Sequence, residues 1–348
     1  MNYLKTYELT LKTVEIFKKC FEINGSPKKK ENIIWQFLDN PENNSIVDIA
    51  YDEDKNRTAS IYALFCVKLK IGNSLFKGAQ SLDTMTDVNY RGRGLFVNRA
   101  NDVYNKAKET NVSFVYGFPN GNSIHSFRKR LGWEVMDPVP FLIKPLKSKY
   151  FTNKISLLSF FPNINLSLFR FYKNKNYQIK EVNDFPKEID TIWENFSKDI
   201  TVAVNRDKVY LEWRYLQKPN ESYSILHCYD ASNKYLGCAI YTIKDKHNGK
   251  IGYIMELIYD LDKPKSGELL LKFAIDKIKK AKADCILVWC FEHSPNYKVF
   301  KKELFFKIPK KLKPIELHFG VRSFNEDIAD FVNKRDNWYL SYSDSDTV

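Results

Sequence analysis

Two tryptophan-led segments, Trp35-Gln-Phe-Leu-Asp-Asn-Pro41 and Trp213-Arg-Tyr-Leu-Gln-Lys-Pro219, share the pattern W-x-[FY]-L-x-x-P and lie 178 residues apart. A second pair, Phe127-Arg-Lys-Arg-Leu-Gly-Trp133 and Phe300-Lys-Lys-Glu-Leu-Phe-Phe306, repeats at an offset of 173 residues. Each member of that pair has an apolar residue, three mostly basic residues, a leucine and a closing aromatic. Near-equal offsets for two separate motifs point to a duplicated unit rather than to chance. A chain of 348 residues is also longer than one ordinary core and has room for two.

The stretches between the motifs correspond in kind. Residues 45–51, 58–70 and 75–88 are β-branched and aromatic runs parted by turn residues at 54–56 and 72–73, and they read as strands joined by hairpins. A helix over 94–110, a buried strand over 112–118, a short helix over 123–131 and a last strand over 135–143 follow. The second half offers strands at 223–229, 235–244 and 251–259, a helix at 267–281, a strand at 285–291 and a helix at 295–304. An antiparallel meander followed by strand, helix and strand predicts an α+β sheet with one parallel crossover in each half.

With 44% apolar residues, 25 Phe and 21 Tyr, two packed cores are affordable. Only the polar tail Ser341–Val348 reads as disordered. The six cysteines are scattered through apolar runs and read as reduced core thiols. With five histidines and neither CxxC nor HxxxH spacing, no metal is expected. No apolar run reaches the ~18 residues of a membrane span, and Met1–Lys5 lacks the apolar stretch of a secretion signal, so a cytoplasmic protein is expected. The formal charge of +13 favours polyanionic partners but reads chiefly as a lysine-rich solvated surface. No specific nucleic acid is expected. Residues 147–176 read as a connector, broken at Pro162. Their basic and aromatic stretch 155–171 is the place where a peripheral membrane contact would be looked for.

One segment carries the signal of a ligand site. A strand ends near Val88, Gly92 and Gly94 follow within a few residues, and a helix begins at once. Glycine lets the backbone turn sharply there, and free N–H groups at a helix start favour phosphate oxygens. Arg91 and Arg93 add charge-assisted donors. The aligned stretch of the second half, Asp260–Gly267, has one glycine, a proline and two acids. It should repel the same ligand.

The run Arg91-Gly-Arg-Gly94-Leu-Phe96 resembles the acetyl-CoA pyrophosphate loop of the GNAT superfamily of N-acetyltransferases, [RQ]-x-x-G-x-[GA]. Arg91 and Gly94 match, and Phe96 departs from the last position. Asn120-Gly-Asn122-Ser123 with Phe127, Leu131, Gly132 and Trp133 resembles the family's later strand exit and helix. The stretch Tyr116–Ser123 is also similar to bacterial members encoded with surface-polysaccharide genes. The resemblance covers roughly residues 5–145. It implies two tandem GNAT-like domains, each a mixed, mostly antiparallel sheet flanked by helices: 1–146 binding acetyl-CoA, and a degenerate copy at 177–340 shaping the acceptor site. It also implies acetyl transfer to a small acceptor amine, with a nucleotide-linked amino sugar as the preferred acceptor.

In the family's geometry the cofactor would be held by Thr84, Met85 and Thr86 of the splayed strand, by Arg91, Gly92, Arg93, Gly94, Leu95 and Phe96, and by Asn120, Asn122, Phe127 and Arg128. Asp83 and Glu256 are candidate general bases, since a buried carboxylate acquires the raised pKa a base needs. The family's usual acid, a tyrosine, is replaced by Arg128. Tyr116 is the first substitute, with Tyr90 and His125 behind it. Two other readings stand beside this one: a tRNA-dependent aminoacyl transferase of the peptidoglycan-bridge type, which the basic charge would suit, and a non-catalytic binding protein with a decayed cofactor loop.

Overall fold

The computed structural model describes residues 4–43, 45–148, 166, 176–246, 248–308 and 318–346. The connector and the 155–171 stretch expected there lie almost wholly outside the described residues. No helix among the described residues is long and apolar enough to cross a membrane.

The third strand of the chain explains much of the architecture. Residues Arg57–Ile71 form β3, and ten of them in succession, Thr58–Val67, are buried. A strand that is apolar on both faces must be covered on both. Ile61, Ala63, Phe65, Val67 and Leu69 join the large core that runs into the second half of the chain. Tyr62, Leu64 and Cys66 join a smaller core on the other face. That second face is covered by α3 (Leu95–Glu109), whose buried Ala100, Val103, Tyr104 and Ala107 follow helical spacing. It is also covered by Phe127 of α4 (Ile124–Arg130).

The remaining elements of the first half are β1 (Lys5–Tyr7), α1 (Val14–Ile23), α2 (Lys30–Phe37), β2 (Ile46–Asp52), β4 (Ser74–Thr86), β5 (Phe114–Gly117), β6 (Glu134–Met136) and β7 (Phe141–Pro145). In the second half, β8 (Tyr177–Glu181), α5 (Ile189–Phe196), β9 (Val202–Val204) and α6 (Lys208–Tyr215) precede β10 (Ser224–Asp230), β11 (Tyr235–Lys246) and β12 (Gly249–Tyr259). Then come α7 (Lys265–Lys280), β13 (Cys285–Trp289), α8 (Pro295–Lys302), β14 (Phe306–Lys307), β15 (Phe319–Ser323) and α9 (Glu326–Val332).

Two sheets result, with the orders β1-β2-β3-β4-β5-β15-β6 and β8-β10-β11-β12-β13-β7-β14; β9 adds to the end of β3. They match strand for strand, and each contains one parallel pair, β4 with β5 and β12 with β13. The α+β class with two mixed sheets flanked by helices is therefore as the repeat implied. Two details differ. The single strand expected at 135–143 is two strands, because Pro138 and Pro140 cannot donate to a ladder. Those two strands then part company. β6 closes the first sheet, whereas β7 pairs with β13 and β14 of the second. In exchange β15, from the far end of the chain, pairs with β5 and β6. The sheets thus share strands across the expected limits of 1–146 and 177–340.

The two W-x-[FY]-L-x-x-P segments meet. Trp35 and Trp213 stack with ring centroids 4.6 Å apart. Each indole N–H donates to the other's carbonyl, at 3.0 and 3.1 Å, the reciprocal pattern of a local two-fold axis.

The tail is not disordered where it is described. Tyr342 to Ser345 are buried. Arg206, with no exposed surface, reaches Glu256, Asp344 and the Val204 carbonyl. All six cysteines are free and buried, and burial pushes the thiols of Cys20, Cys66, Cys228, Cys238 and Cys290 up to about 12.

Candidate active site

The site begins where two parallel strands separate. Pairing of β4 with β5 runs Ala79↔Val115, Gln80↔Tyr116, Ser81↔Gly117 and stops. Gly117 permits the last step, since a Cβ there would lie 2.8 Å from the Ser81 carbonyl oxygen. From Leu82 to Thr86 the edge of β4 that faced β5 has no strand beside it among the described residues. The same stretch carries a β-bulge: Ile61 pairs with Met85 and Ala63 with Leu82, so two residues oppose one. Asp83 sits in the bulge at φ 52°, a conformation Asp tolerates better than most residues.

Beyond the split the chain makes the glycine turn. Asp87 opens it, accepting from the Asn89 N–H at 2.9 Å and from Arg57 at 2.7 Å. Burial would raise the Asp87 carboxyl, but those bonds, with Asn24, outweigh it and hold its pKa below the usual value. Gly92 and Gly94 have φ of 78° and 74°, so their backbone, not lack of space, requires glycine. Helix hydrogen bonding in α3 begins with Val97 and Asn98 N–H donating to the Gly94 carbonyl. The Leu95 and Phe96 N–H groups therefore face outward at the positive end of a 15-residue helix. Arg91 and Arg93 are exposed beside them, Arg93 lying over the Tyr90 ring.

Phe96 has a physical account. Its ring packs against Tyr62 at 5.7 Å and Phe127 at 5.4 Å, seating the start of α3 on the smaller core while its backbone stays free. The Phe127 contact also brings α4 alongside, with Arg128 exposed. Asn120 holds the α4 entry, its side-chain oxygen accepting from the Asn122 and Ser123 N–H groups at 3.0 and 3.1 Å. Thr84, Met85, Thr86, the 91–96 turn, Asn120, Asn122, Phe127 and Arg128 thus all lie on the split strand, the start of α3, or α4 and its entry.

The three nominated catalytic residues fare differently. Asp83 is in the bulge of the split, bonded to Lys28 Nζ at 2.6 Å and Gln36 Nε2 at 3.1 Å. Burial raises its pKa, with Asp346 adding and Lys28 opposing. Glu256 does not join it. It follows the corresponding bulge at Met255, where Ile240 pairs with Glu256 and Tyr241 with Ile254. It is 1% exposed and bonded to Arg206, Tyr339, Ser341 and Ser343, which leaves it no access to a substrate amine. Tyr116 is also closed off. Its hydroxyl is buried 3.4 Å from Gln80 Oε1, and burial pushes its pKa well above the phenol value. Tyr90 donates to Asp52 at 2.7 Å and is raised to about 12 by burial. His125 is exposed on α4.

The second sheet splits as well, β12 and β13 pairing only from Ile251↔Cys285 to Tyr253↔Leu287. Its gap is filled by the chain itself. Asn296 donates to the Leu257 carbonyl at 2.9 Å and to the Tyr339 hydroxyl, and Tyr342 stacks on Trp289 at 4.9 Å. No left-handed glycine precedes α7, and Gly267 packs inside its first turn against Tyr259. Sequence reasoning missed Lys28 and Gln36, the partners of Asp83. The available signal was the repeat: Lys28 and Arg206 are 178 residues apart, and both hold the carboxylate at or next to a bulge. Among the described residues no group of His, Cys, Asp and Glu could hold a metal ion.

Residues 6–136 match the family model of an acetyltransferase (GNAT) domain. No curated protein sequence matches the chain. Among solved structures, a GCN5-related N-acetyltransferase from Anabaena variabilis is similar over 93% of this chain and 73% of its own, at 13% identity and TM-score 0.60. Saccharomyces cerevisiae N-myristoyltransferase with bound myristoyl-CoA is similar over 92% of this chain and 82% of its own, at 11% identity and TM-score 0.56. At such identities these likenesses speak for the fold. The family match is confined to residues 6–136, so that stretch is similar to an acetyltransferase (GNAT) domain.

Proposed function

We propose that the chain transfers acetyl from acetyl-CoA to the amine of a small acceptor by direct attack, with a nucleotide-linked amino sugar as the preferred acceptor. In this reading the halves are tandem copies of one unit, the first holding the donor and the second walling the acceptor site. The carrying observation is the contrast between the two splits. The first is followed by a left-handed glycine turn into a helix start, with the Asp344 carbonyl accepting from Gln80 and Asp346 near Lys28 beside it; the second has no such turn and is filled by the chain's own side chains. The residues of the first split fit a CoA thioester. Outward N–H groups and the 91–96 turn with its two arginines suit a pyrophosphate, and the unpaired edge of β4 offers backbone donors to a thioester oxygen. The neighbour bound to myristoyl-CoA supports a donor of this class.

Asp83 would accept the proton as the amine nitrogen bonds to the acyl carbon and the carbon–sulfur bond breaks, the thiolate taking its proton from solvent. Burial supplies the raised pKa suited to that role. Isothermal titration with acetyl-CoA tests the clamp. Binding is expected in the wild type and a loss of at least ~100-fold in Gly94→Asp, where a carboxylate meets the pyrophosphate and positive φ becomes strained. Equal affinity in the two proteins would reduce the turn to a structural feature.

A further inference from the structure

A second cluster of unusual polarity lies against the Trp35 ring of the Trp35–Trp213 stack. Arg214 is 4% exposed. Its Nε donates to the Ser343 carbonyl at 3.0 Å and its Nη2 to the Ser345 carbonyl at 2.6 Å. Its Nη1 is buried without a hydrogen-bond partner, although an unmet donor on a buried cation is costly. The guanidinium lies over the Trp35 ring at 5.7 Å. Lys218 places its ammonium over that ring at 5.6 Å and 3.3 Å from the Tyr223 hydroxyl. Tyr223 packs edge-on against Tyr215, ring centroids 5.0 Å apart, and borders an open depression of ≈ 360 Å³ that reaches solvent.

Two cations held over one indole repel each other. Burial, then Arg214, lowers the Lys218 pKa to about 7, with Glu221 and Asp346 opposing. Glu221 is itself engaged by Lys244. The repeat shows that this is no requirement of the scaffold. The residues 178 positions earlier are Gln36 and Asn40, both neutral, and Gln36 is the residue that holds Asp83. The second copy thus carries two cations where the first carries amides.

We propose that Arg214, Lys218 and Tyr223 form an anion subsite of the acceptor cleft, which takes a phosphate or carboxylate group of the acceptor whose amine reaches Asp83. An anion there would satisfy Arg214 Nη1 and relieve the Arg214–Lys218 repulsion, and Tyr223 adds a neutral donor. That the anion belongs to the acceptor rests on the transferase reading; the subsite does not.

The test is isothermal titration of the full chain, saturated with coenzyme A so that the 91–96 turn is occupied, using inorganic phosphate and, separately, succinate. Binding of at least one is expected, and the stronger of the two names the anion's source. Lys218→Met should weaken it by ~10-fold or more, Tyr223→Phe by ~3-fold, and Lys218→Arg by less than ~3-fold, as a charge-assisted contact implies. The melting temperature and coenzyme A affinity of each variant should match the wild type. No anion binding by the wild type, or equal binding by Lys218→Met, overturns the subsite. If coenzyme A itself fails to bind, the transferase reading falls, and the same anion titration on Gly94→Asp still decides the subsite.

Discussion

Asp83 is held by two opposed influences. Burial makes its charge costly, while Lys28 at 2.6 Å and Gln36 at 3.1 Å favour it; burial prevails and raises the pKa. On the proposal that Asp83 is the base, it must be ionised to act, so kcat/KM should climb with pH through that raised value, above the ~3.9 of a free Asp, and level off beyond it. Lys28→Met removes the opposing cation and should move this limb to higher pH. Asp83→Asn should cost ~10²–10⁴-fold in kcat and flatten the limb. A limb set by the acceptor's own ammonium would stay in place in both variants, so a pH–rate series on the three proteins separates the two origins. Asp83 was recognisable from its place beside the splayed strand. Its partners were not, because Lys28 and Gln36 come from a helix and its approach some fifty residues earlier, and no local pattern links them to the bulge.

At the level of elements, the most legible part of the chain was the repeat, and the reason is physical. The periodic strand runs and the Trp-Pro and Phe-Leu landmarks are local signals, so β3, β4, α3, α7 and their turns could be placed to within a few residues. What the landmark tryptophans do is not local. Each indole closes on the other's backbone, so α2 and α6 are joined by one stacked pair and two hydrogen bonds. Trp35→Phe and Trp213→Phe should each destabilise the chain by about 2–3 kcal/mol, from a lost buried hydrogen bond and lost packing. Because the pair acts as one unit, the double variant should lose less than the sum by ~1 kcal/mol or more. Urea titration of the four proteins provides the cycle. Strict additivity would mean that the two segments are stabilised separately and merely touch.

The whole molecule departs most from its sequence reading in how the halves are joined. Each sheet lacks one interior strand from its own stretch of chain and takes it from the other, β15 entering beside β5 and β7 beside β13. Nothing in the composition of Phe141–Pro145 or Phe319–Ser323 marks this, since either strand is apolar enough to fill either place; only the proline break at Pro138 and Pro140 leaves the chain room to turn away from β6. The large core spans both halves, and Arg206 ties Glu256 to the C-terminal Asp344. Residues 1–146 alone would therefore expose the β5 edge where β15 belongs, and would carry β7 with no partner. Unpaired buried strand edges bring unmet backbone groups and aggregation. Expressed alone, residues 1–146 should fail to show a cooperative melt and should sediment as aggregate. Co-expression with 147–348 should return a soluble complex that melts as one unit and binds acetyl-CoA with the affinity of the intact chain. An isolated 1–146 fragment that is monomeric and melts cooperatively would show that the exchanged strands are accessories to two self-sufficient units rather than the bond between them.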